Sequence, residues 1–475
     1  MTREQPILVA GAWETSPLGL DSIAPGTGEL VGRTFRADAR QLERATVAAV
    51  NTFDVTRKLA AYERGAILRD ISAGIVAARD ELADLLAREA GKPIADARTE
   101  VDRTAFAFRY AAEEAERLSG ELIPLDVIAS SKGKVAITRR VPIGPVAAIS
   151  PFNVPLNLAA HKLAPAIAAG NTIVLKPDSR VALTLLRLAE IIAATDVPVG
   201  AVSVLPMDLD VGDRLVTDPR FRLLSFTGSA RVGWDMRARA GQKQVVLELG
   251  GDGAVIVDAD ADLDLVTSRV LTGAFKYAGQ ICISVQRVFA HRSVFDELRS
   301  RLAEGATSLT VGPPLAPGID LGPMISESAA ERTERLVRDA VAQGATLLAG
   351  GARDGAYVEP TVLCDVPRDA TISTEEAFAP VVYLEPFDDF SDAVRRVNDS
   401  PYGLQAGVFT QHLRHIWKAF EDLDVGGVVI NDVPTYRVDH MPYGGVKASG
   451  LGREGIRYAI EHMTELRSLI LTPEL

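Results

Sequence analysis

The sequence has little cysteine and no long hydrophobic run. Its 475 residues include two cysteines, Cys282 and Cys364, which excludes a disulfide framework, and no Cys/His cluster has zinc-site spacing. No stretch of about 18 uninterrupted apolar residues is present, and the start does not read as a secretory signal, so we expect neither a membrane span nor export. These absences predict a protein of a reducing compartment, the cytoplasm.

The chain also lacks an excess of basic residues. It has 51 Lys and Arg against 63 Asp and Glu, a formal net charge of −12. An acidic chain has no electrostatic reason to bind nucleic acid or an anionic membrane, so neither is a predicted partner. Its 47% hydrophobic and 24% charged residues are typical of a globular protein, and its length suggests two or three domains.

The first hundred residues, after a short turn-rich start, have the three- and four-residue apolar spacing of helices. The next helix is predicted over residues 99–120 and ends at Gly120. Arg103 lies on roughly the opposite face from the apolar residues of this helix. Those residues step by three and four and share one face: Val101, Ala105, Phe108, Ala112 and Ala115.

From about residue 145 the pattern becomes short apolar, β-branched runs separated by helical stretches, and it recurs from about residue 283 to 430. Nearly continuous apolar strands alternating with helices predict parallel sheets covered on both faces. We therefore predict an α/β protein with two doubly wound parallel sheets. Residues 121–140 read as a β-hairpin with "SSKGK" as its turn, and the end of the chain reads as a late strand that pairs with it, within the chain or across a subunit interface.

Several polar residues follow predicted strands directly, and open parallel sheets bind ligands at the carboxyl ends of their strands. Each of these residues also has a purely structural interpretation. The asparagine could belong to a turn, the lysine could point into water, the glycine and serine could simply start a helix, and the glutamate could point outward. A glutamate in so apolar a setting would have a raised pKa, which suits a general base. The candidates are Asn153, Lys176, Ser179, Gly228, Ser229 and Glu248.

Cys282 lies in "GQICIS" and is either a small buried apolar residue or a nucleophile. A thiol combined with a carboxylate base, an amide donor and a dinucleotide site is suited to oxidising an aldehyde through a thioester. Cys364, in "PTVLCDV", is predicted to be a buried strand cysteine.

Eight segments, in unbroken order over some 300 residues, resemble the aldehyde dehydrogenase superfamily, specifically its non-acylating branch of lactaldehyde, glyceraldehyde-type and phosphonate-aldehyde enzymes. The stretch "GGVVINDVPTYRVDHMPYGG" is the most telling for that branch. The segments are "PFNVP", "VLKP", "FTGSARVG", "LELGG", "GQICIS", "EEAFAPV", "PYGLQAGVFT" and "MPYGGVKASGLGREG".

The resemblance implies a role for each catalytic candidate. Cys282 would attack the aldehyde carbon, and Asn153 with the Cys282 backbone N–H would hold the oxyanion. Hydride would pass to NAD or NADP, and Glu248 would activate the water that hydrolyses the thioester. The family often has glutamate at the position of Ser179, where it repels a 2′-phosphate; NADP is therefore not excluded, although we favour NAD. The cofactor residues implied by the resemblance are Ser150, Pro151, Phe152, Lys176, Ser179, Gly228, Ser229, Glu376 and Phe378.

Two arginines are candidates for substrate recognition. Arg103 matches a tunnel arginine of some family members, and Arg437 lies in the loop expected to close the tunnel mouth; a solvated helix face and a loop salt bridge are the alternatives. They predict a small polar or acidic aldehyde, of lactaldehyde, glyceraldehyde or short semialdehyde type. The other hypotheses are a phosphonoacetaldehyde-type enzyme, which Val154 and Ile281 disfavour, and a CoA-acylating enzyme, which Glu248 disfavours.

The resemblance also predicts the organisation of the chain. Residues 1–120 and 141–248 would form a Rossmann-like cofactor domain, and residues 249–440 the catalytic domain. Residues 121–140 and 456–475 would form a small β oligomerisation element, which makes a homodimer or homotetramer the expected assembly.

Overall fold

The computed structural model describes residues 3–472, so residues 1–2 and 473–475 of the predicted segments lie outside it. The strands, in chain order, are β1 (Arg3–Glu4), β2 (Ile7–Val9), β3 (Ala12–Glu14), β4 (Gly19–Ile23), β5 (Leu30–Phe35), β6 (Leu122–Pro124), β7 (Val135–Pro142), β8 (Val146–Ile149), β9 (Ile173–Lys176), β10 (Val202–Val204), β11 (Leu223–Thr227), β12 (Gln244–Glu248), β13 (Ala254–Val257), β14 (Arg287–His291), β15 (Thr346–Ala349), β16 (Arg353–Asp354), β17 (Tyr357–Val358), β18 (Thr361–Cys364), β19 (Val381–Phe387), β20 (Gln405–Phe409), β21 (Gly427–Ile430), β22 (Gly450–Leu451) and β23 (Thr464–Leu471).

Helices cover these strands, and four short 3-10 turns accompany them. The helices are α1 (Ala39–Thr56), α2 (Ala61–Ala77), α3 (Arg79–Ala90), α4 (Ile94–Arg117), α5 (Pro155–Ala169), α6 (Ala182–Ala193), α7 (Leu209–Thr217), α8 (Ala230–Arg239), α9 (Leu263–Phe275), α10 (Arg292–Ser308), α11 (Glu327–Ala342), α12 (Thr371–Thr374), α13 (Phe390–Asn398), α14 (Leu413–Asp422) and α15 (Ile456–His462). The turns are at Ala129–Ser131, Ser179–Val181, Lys276–Gly279 and Lys447–Ser449.

Two large sheets confirm the predicted α/β fold. The first has the strand order β22-β12-β11-β8-β9-β10-β2-β3, in which the central strands from β12 to β10 are parallel. The second has the order β15-β18-β19-β14-β13-β20-β21 and is parallel except at β15. Nearly every residue of the central strands is buried, as expected for sheets covered on both faces. The domain boundaries given above stay a prediction.

Helix α4 follows the predicted pattern. The five apolar residues that share its predicted face, from Val101 to Ala115, are all buried, while the Arg103 side chain is 32% exposed. The helix ends at Arg117, three residues before Gly120. Helix α5 is buried along its whole length and packs on α4, so polar side chains on it face the interior of the protein.

The third sheet, in the order β23-β7-β6, contains the predicted hairpin and the C-terminal strand. β6 and β7 pair antiparallel, but residues 125–134 connect them, a longer loop than the predicted five-residue turn. β23 pairs antiparallel with β7 over eight residues of the same chain, which is the within-chain alternative.

The prediction that the start of the chain is a turn-rich segment followed only by helices is wrong. β1, β4 and β5 form a separate sheet, while β2 and β3 extend the edge of the first large sheet antiparallel to β10. β1, β2 and β3 have only two or three residues, and β4 and β5 mix polar and apolar residues, so none of them is a continuous apolar run of about four or more residues.

No helix that the structure describes in residues 3–472 combines the length and the apolar character required to cross a membrane.

Candidate active site

Several predicted site residues lie at one edge of the first sheet. Ser150 follows β8, Lys176 ends β9, Gly228 follows β11 and Glu248 ends β12, and these four strands are parallel neighbours. The register pairs Ile149 with Lys176 and Thr227 with Glu248. The parallel sheet therefore brings together residues that are spread across about a hundred positions of the sequence.

The loop that carries Cys282 has an unusual backbone. Tyr277 and Ala278 have φ angles of 50° and 51°, and Gly279 follows at 67°, so three successive left-handed residues turn the chain away from α9. A Cβ at Gly279 would lie 2.0 Å from the Ala379 carbonyl oxygen, so only glycine fits there. Strained backbone of this kind is found where a loop must hold one conformation, and here it fixes the thiol.

The Cys282 thiol is partly exposed and lines a cavity of about 250 Å³. Its Sγ lies 3.0 Å from the hydroxyl oxygen of Tyr443. Burial raises the pKa of the thiol to about 11, although the hydrogen bond with Tyr443 acts in the opposite direction. The resting group is therefore a thiol, which must lose its proton before it acts as a nucleophile.

Asn153 is buried beside the Cys282 loop. Its side-chain Nδ2 donates to the carbonyl oxygen of Gln280 at 3.0 Å, while its Oδ1 has no partner among the described residues. Glu100 on α4 caps the first turn of α5, because its Oε1 accepts from the backbone N–H of Leu156 at 2.9 Å. The start of α5, and with it Asn153, is thereby fixed.

Glu248 is 3% exposed, and neither of its carboxyl oxygens has a hydrogen-bond partner among the described residues. Burial raises the pKa of Glu248 well above its usual value, and the nearby Glu454 raises it further. A Cβ at Gly444 would lie 3.0 Å from Glu248 Oε1, which places the carboxyl group against the segment next to Tyr443. This is the environment of a general base that is active when deprotonated.

A buried ionic group surrounds Glu248. Arg437 Nη2 donates to Glu454 at 2.7 Å, and Lys162 Nζ lies 3.8 Å from the other Glu454 oxygen. Lys162 also donates to the hydroxyls of Ser225 at 3.1 Å and Thr227 at 2.7 Å. Burial lowers the pKa of Lys162, whereas Glu454 opposes that change. These charges are paired, as buried charges must be.

Arg103 and Arg437 line the same cavity as Cys282 and Asn153. Arg103 binds both carboxylate oxygens of Asp439, through Nε at 3.1 Å and Nη2 at 2.7 Å. Asp439 also accepts from Asn157 at 2.8 Å and contacts His161 at 3.0 Å. Burial opposes its ionisation, but His161 and Arg103 hold the pKa of Asp439 well below its usual range. Arg103 is therefore held by a carboxylate and is not simply solvated.

Arg437 is 7% exposed, which is more buried than a loop at the mouth of a tunnel implies. Its guanidinium carbon lies 3.8 Å from the centre of the Tyr443 ring. Its Nε is buried without a hydrogen-bond partner among the described residues. An unpartnered buried donor of this kind is energetically costly, and Arg437 is one of the residues that line the cavity.

The residues expected to hold the cofactor fit a ligand rich in hydroxyl groups and phosphates. The Ser150 hydroxyl is buried without a partner among the described residues, and Glu376 accepts one hydrogen bond, from Gly251 N–H at 3.2 Å. Burial raises the pKa of Glu376 to about 7. Phe152 and Phe378 are in edge-to-face contact at 6.0 Å. Pro151 and Phe152 follow shortly after the end of β8.

The remaining cofactor candidates lie at strand exits. Lys176 is partly buried at the end of β9, and burial lowers its pKa. Ser179 begins the 3-10 turn after β9, and Ser229 precedes α8 without capping it through its side chain. The Ser229 hydroxyl and the first N–H groups of α8 are therefore available to a phosphate.

Two outcomes complete the comparison with the sequence. Cys364 is fully buried in β18, as predicted. Sequence reasoning missed five residues of the site because their contacts are made with residues far along the chain or because they lie in segments without a recognisable pattern. They are Tyr443, Asp439, His161, Lys162 and Glu454. Tyr443 and Glu454 do fall inside the segment "MPYGGVKASGLGREG", and Asp439 falls inside "GGVVINDVPTYRVDHMPYGG", so membership of these segments was the available signal.

The thiol lines a cavity with Asn153, Arg103 and Arg437, and Glu248 lies at the sheet edge that carries the predicted nucleotide-binding residues. This combination is typical of a cysteine-dependent oxidoreductase. The chain belongs to the aldehyde dehydrogenase family, whose sequence profile matches residues 13–469. This confirms the predicted family, fold and enzyme class, an NAD(P)-dependent aldehyde dehydrogenase.

Three relatives illustrate the similarity. The chain is 41% identical over 470 residues to 3-sulfolactaldehyde dehydrogenase of Priestia aryabhattai, which covers 99% of this chain and 98% of that one. Aldehyde dehydrogenase 21 of Physcomitrella patens, solved with the reaction product succinate, superposes with a TM-score of 0.98 at 44% identity, covering 99% and 98% of the two chains. The glyceraldehyde-3-phosphate dehydrogenase GapN of Methanocaldococcus jannaschii, solved with NADP, superposes with a TM-score of 0.92 at 40% identity. The match covers 96% of this chain and 99% of that one.

Proposed function

We propose that this enzyme oxidises a small anionic aldehyde to its acid, with Cys282 as the nucleophile. The observation that carries the proposal is Arg103, whose side chain is 32% exposed in the cavity that Cys282 lines and which gives only two of its N–H groups to Asp439. A carboxylate, sulfonate or phosphate on the substrate would accept from the remaining N–H groups of Arg103, and the positive charge of Arg437 in the same lining would attract it. The cavity of about 250 Å³ suits an aldehyde of a few carbon atoms.

The proposed reaction begins when the Cys282 thiolate attacks the aldehyde carbon. The side-chain N–H of Asn153 and the backbone N–H of Cys282 donate to the oxygen that becomes negative in the thiohemiacetal. The bound NAD or NADP supplies the acceptor for the hydride that leaves carbon, and the thiohemiacetal becomes a thioester. Glu248 then takes a proton from a water molecule, which attacks the thioester and releases the acid and the thiol.

The cofactor would be held by the residues at the sheet edge. Lys176 and Ser179 would bind the adenine ribose, the start of α8 at Gly228 and Ser229 the phosphates, and Glu376 the other ribose. Ser179 carries no charge that would repel a 2′-phosphate, so both NAD and NADP are accommodated. We retain NAD as the favoured cofactor, and the GapN complex makes NADP the alternative to be measured.

The relatives narrow the substrate class. The bacterial relative is named for 3-sulfolactaldehyde, and the moss enzyme was solved with succinate; in both cases the anionic group lies a short distance from the reacting carbon. We propose the same class for this chain: a sulfonated or carboxylated aldehyde of three or four carbons.

The test is NAD(P)H formation from a panel of small aldehydes without CoA. Lactaldehyde and propionaldehyde are the neutral members, and sulfolactaldehyde, succinic semialdehyde, phosphonoacetaldehyde and glyceraldehyde 3-phosphate are the anionic ones, each with NAD and with NADP. We expect kcat/KM at least tenfold higher for an anionic member. A neutral aldehyde as the best substrate would overturn the anionic class, and activity that requires CoA would overturn the hydrolytic reaction.

We further propose a homodimer or homotetramer built through the third sheet. β23 is an edge strand whose apolar side chains are exposed, and edge strands of this kind are normally covered. The exposed large apolar residues on β6 and β23 are Leu122, Leu466, Leu469, Ile470 and Leu471.

A further inference from the structure

We propose that Tyr443 is a further catalytic residue, whose hydroxyl donates a hydrogen bond to the Cys282 thiolate and so stabilises the nucleophile. The inference deepens the proposed function and rests on Cys282 being the nucleophile. Tyr443 Oη lies 3.0 Å from Sγ, and no other side chain in residues 3–472 makes a hydrogen bond to that sulfur.

The position of the Tyr443 hydroxyl is fixed from two sides. The backbone of Tyr443 exchanges two hydrogen bonds with Glu454, at 3.0 and 2.6 Å. The ring lies under the Arg437 guanidinium at 3.8 Å, and Arg437 is itself anchored on the Glu454 carboxylate at 2.7 Å. The side chain is 3% exposed, so the hydroxyl does not exchange this contact for one with bulk water. The donor is therefore preorganised, as effective catalytic donors are.

The direction of the hydrogen bond follows from the chemistry of the two groups. Burial raises the pKa of the Tyr443 phenol well above its usual value, and the charge of Cys282 raises it further, so the phenol keeps its proton. When the thiol ionises, its proton leaves to Glu248 or to water and not to tyrosine. The sulfur then has only lone pairs to offer, and the phenol is the donor.

The same hydrogen bond acts at two points of the reaction. It stabilises the thiolate before the new bond forms between sulfur and the aldehyde carbon. It stabilises the thiolate again when water has added to the thioester carbon and the carbon–sulfur bond breaks, because the electron pair of that bond returns to sulfur. In both cases the phenol keeps its O–H bond and no further reactant is needed.

The experiment compares carbamidomethylation of Cys282 by iodoacetamide at pH 8 in the full-length protein and in Y443F. Loss of a hydrogen bond to a charged group raises a thiol pKa by about 1–2 units, and the more basic thiolate regains part of the rate through its greater nucleophilicity. We expect labelling of Cys282, followed by peptide mass spectrometry, to slow roughly three- to tenfold. The control Y62F removes a hydroxyl on the exposed surface of α2, where Tyr62 is 69% exposed, and should label at the parent rate.

Labelling of folded Y443F at the parent rate would overturn the inference. If Y443F does not fold, the parent protein produced with 3-fluorotyrosine gives the opposite test. Fluorine makes the phenol a stronger donor, so Cys282 should ionise at lower pH, and an unchanged titration of its labelling rate would contradict us. A different result would contradict the proposed function itself. That result is full retention of aldehyde oxidation by protein in which Cys282 is completely labelled.

Discussion

Cys282 owes its properties to neighbours that the sequence does not place beside it. The segment "GQICIS" and its resemblance to a family identify the residue as the candidate nucleophile. The contact of its sulfur with Tyr443 joins positions that are 161 residues apart, and no local sequence pattern predicts such a contact. The same holds for Asp439, whose carboxylate contacts the side chains of Arg103, Asn157 and His161. Residue identity was predictable here, whereas residue environment was not, because burial and charge pairing are tertiary properties.

Arg103 supplies the first prediction at this scale. R103M removes a guanidinium group from the cavity, and loss of a charged hydrogen bond costs about 1.5–3 kcal/mol. We expect KM for succinic semialdehyde to rise by roughly 10- to 100-fold, with little change for propionaldehyde, in steady-state assays.

The control for Arg103 is R79M. Arg79 also binds an aspartate of α4 through two hydrogen bonds, to Asp102 at 2.6 and 2.7 Å, but it is not among the residues that line the cavity. Equal effects of R103M on the anionic and the neutral aldehyde would show that Arg103 has only a structural role.

Glu376 supplies a prediction about stability and pH. Its pKa in the folded protein is about 7 against an ordinary value of 4.5, so its contribution to stability is fully present below pH 4.5 and is lost as the pH rises through 7. E376Q should therefore gain about 3 kcal/mol in free energy of unfolding relative to the parent between pH 4.5 and 8, without cofactor. Urea titrations at a series of pH values measure this difference, and a constant difference would contradict the raised pKa.

At the scale of elements, the helices and the mostly apolar strands were predictable, and the strands at the start of the chain were not. The strands from β8 to β14 are short, mostly apolar runs, and the helices α1 to α6 are long enough for their three- and four-residue apolar spacing to be recognised. Of the five strands up to Phe35, only β2 pairs with a strand far along the chain; β1 and β4 pair with β5, and β3 pairs with β2. The antiparallel pairing of β10 with β2 spans almost two hundred residues, so no local signal specifies it.

The turn that carries the thiol is an element whose geometry makes a sharp prediction. Gly279 has a φ of +67° and a carbonyl oxygen 2.0 Å from the place of a Cβ, whereas Gly241 has a φ of +66° with open space around it. G241A should cost about 1 kcal/mol, which is the cost of the left-handed backbone alone.

G279A adds a clash with the Ala379 carbonyl group to that backbone cost, so it should lower the free energy of unfolding by at least about 3 kcal/mol. Chemical denaturation of both variants measures the two values. Equal losses of unfolding free energy in G279A and G241A would mean that the turn at Gly279 can shift to make room for a Cβ atom.

For the whole molecule, the fold class and family were predictable from the order of the motifs. The two parallel sheets and the match over residues 13–469 confirm both. The assembly is a prediction that only the complete molecule tests. A double L469K/I470K variant places one charge on each face of β23, both of which are exposed, and we expect a smaller oligomer by light scattering after gel filtration.

The control for the assembly is L209K, because Leu209 is 84% exposed at the start of α7, away from the third sheet. It should leave the molecular mass of the assembly unchanged. A parent protein that is monomeric, or a double variant with the parent's mass, would contradict the role given to β23.

The most direct test of the central claim is detection of the acyl-enzyme in E248Q. The variant keeps the thiol and the cofactor site but lacks the base that activates water, so one equivalent of NAD(P)H should form per active site before turnover stops. Intact-mass and peptide measurements on the quenched mixture should find the acyl group of the substrate on Cys282. Full turnover by E248Q, or an adduct on any other residue, would contradict the account.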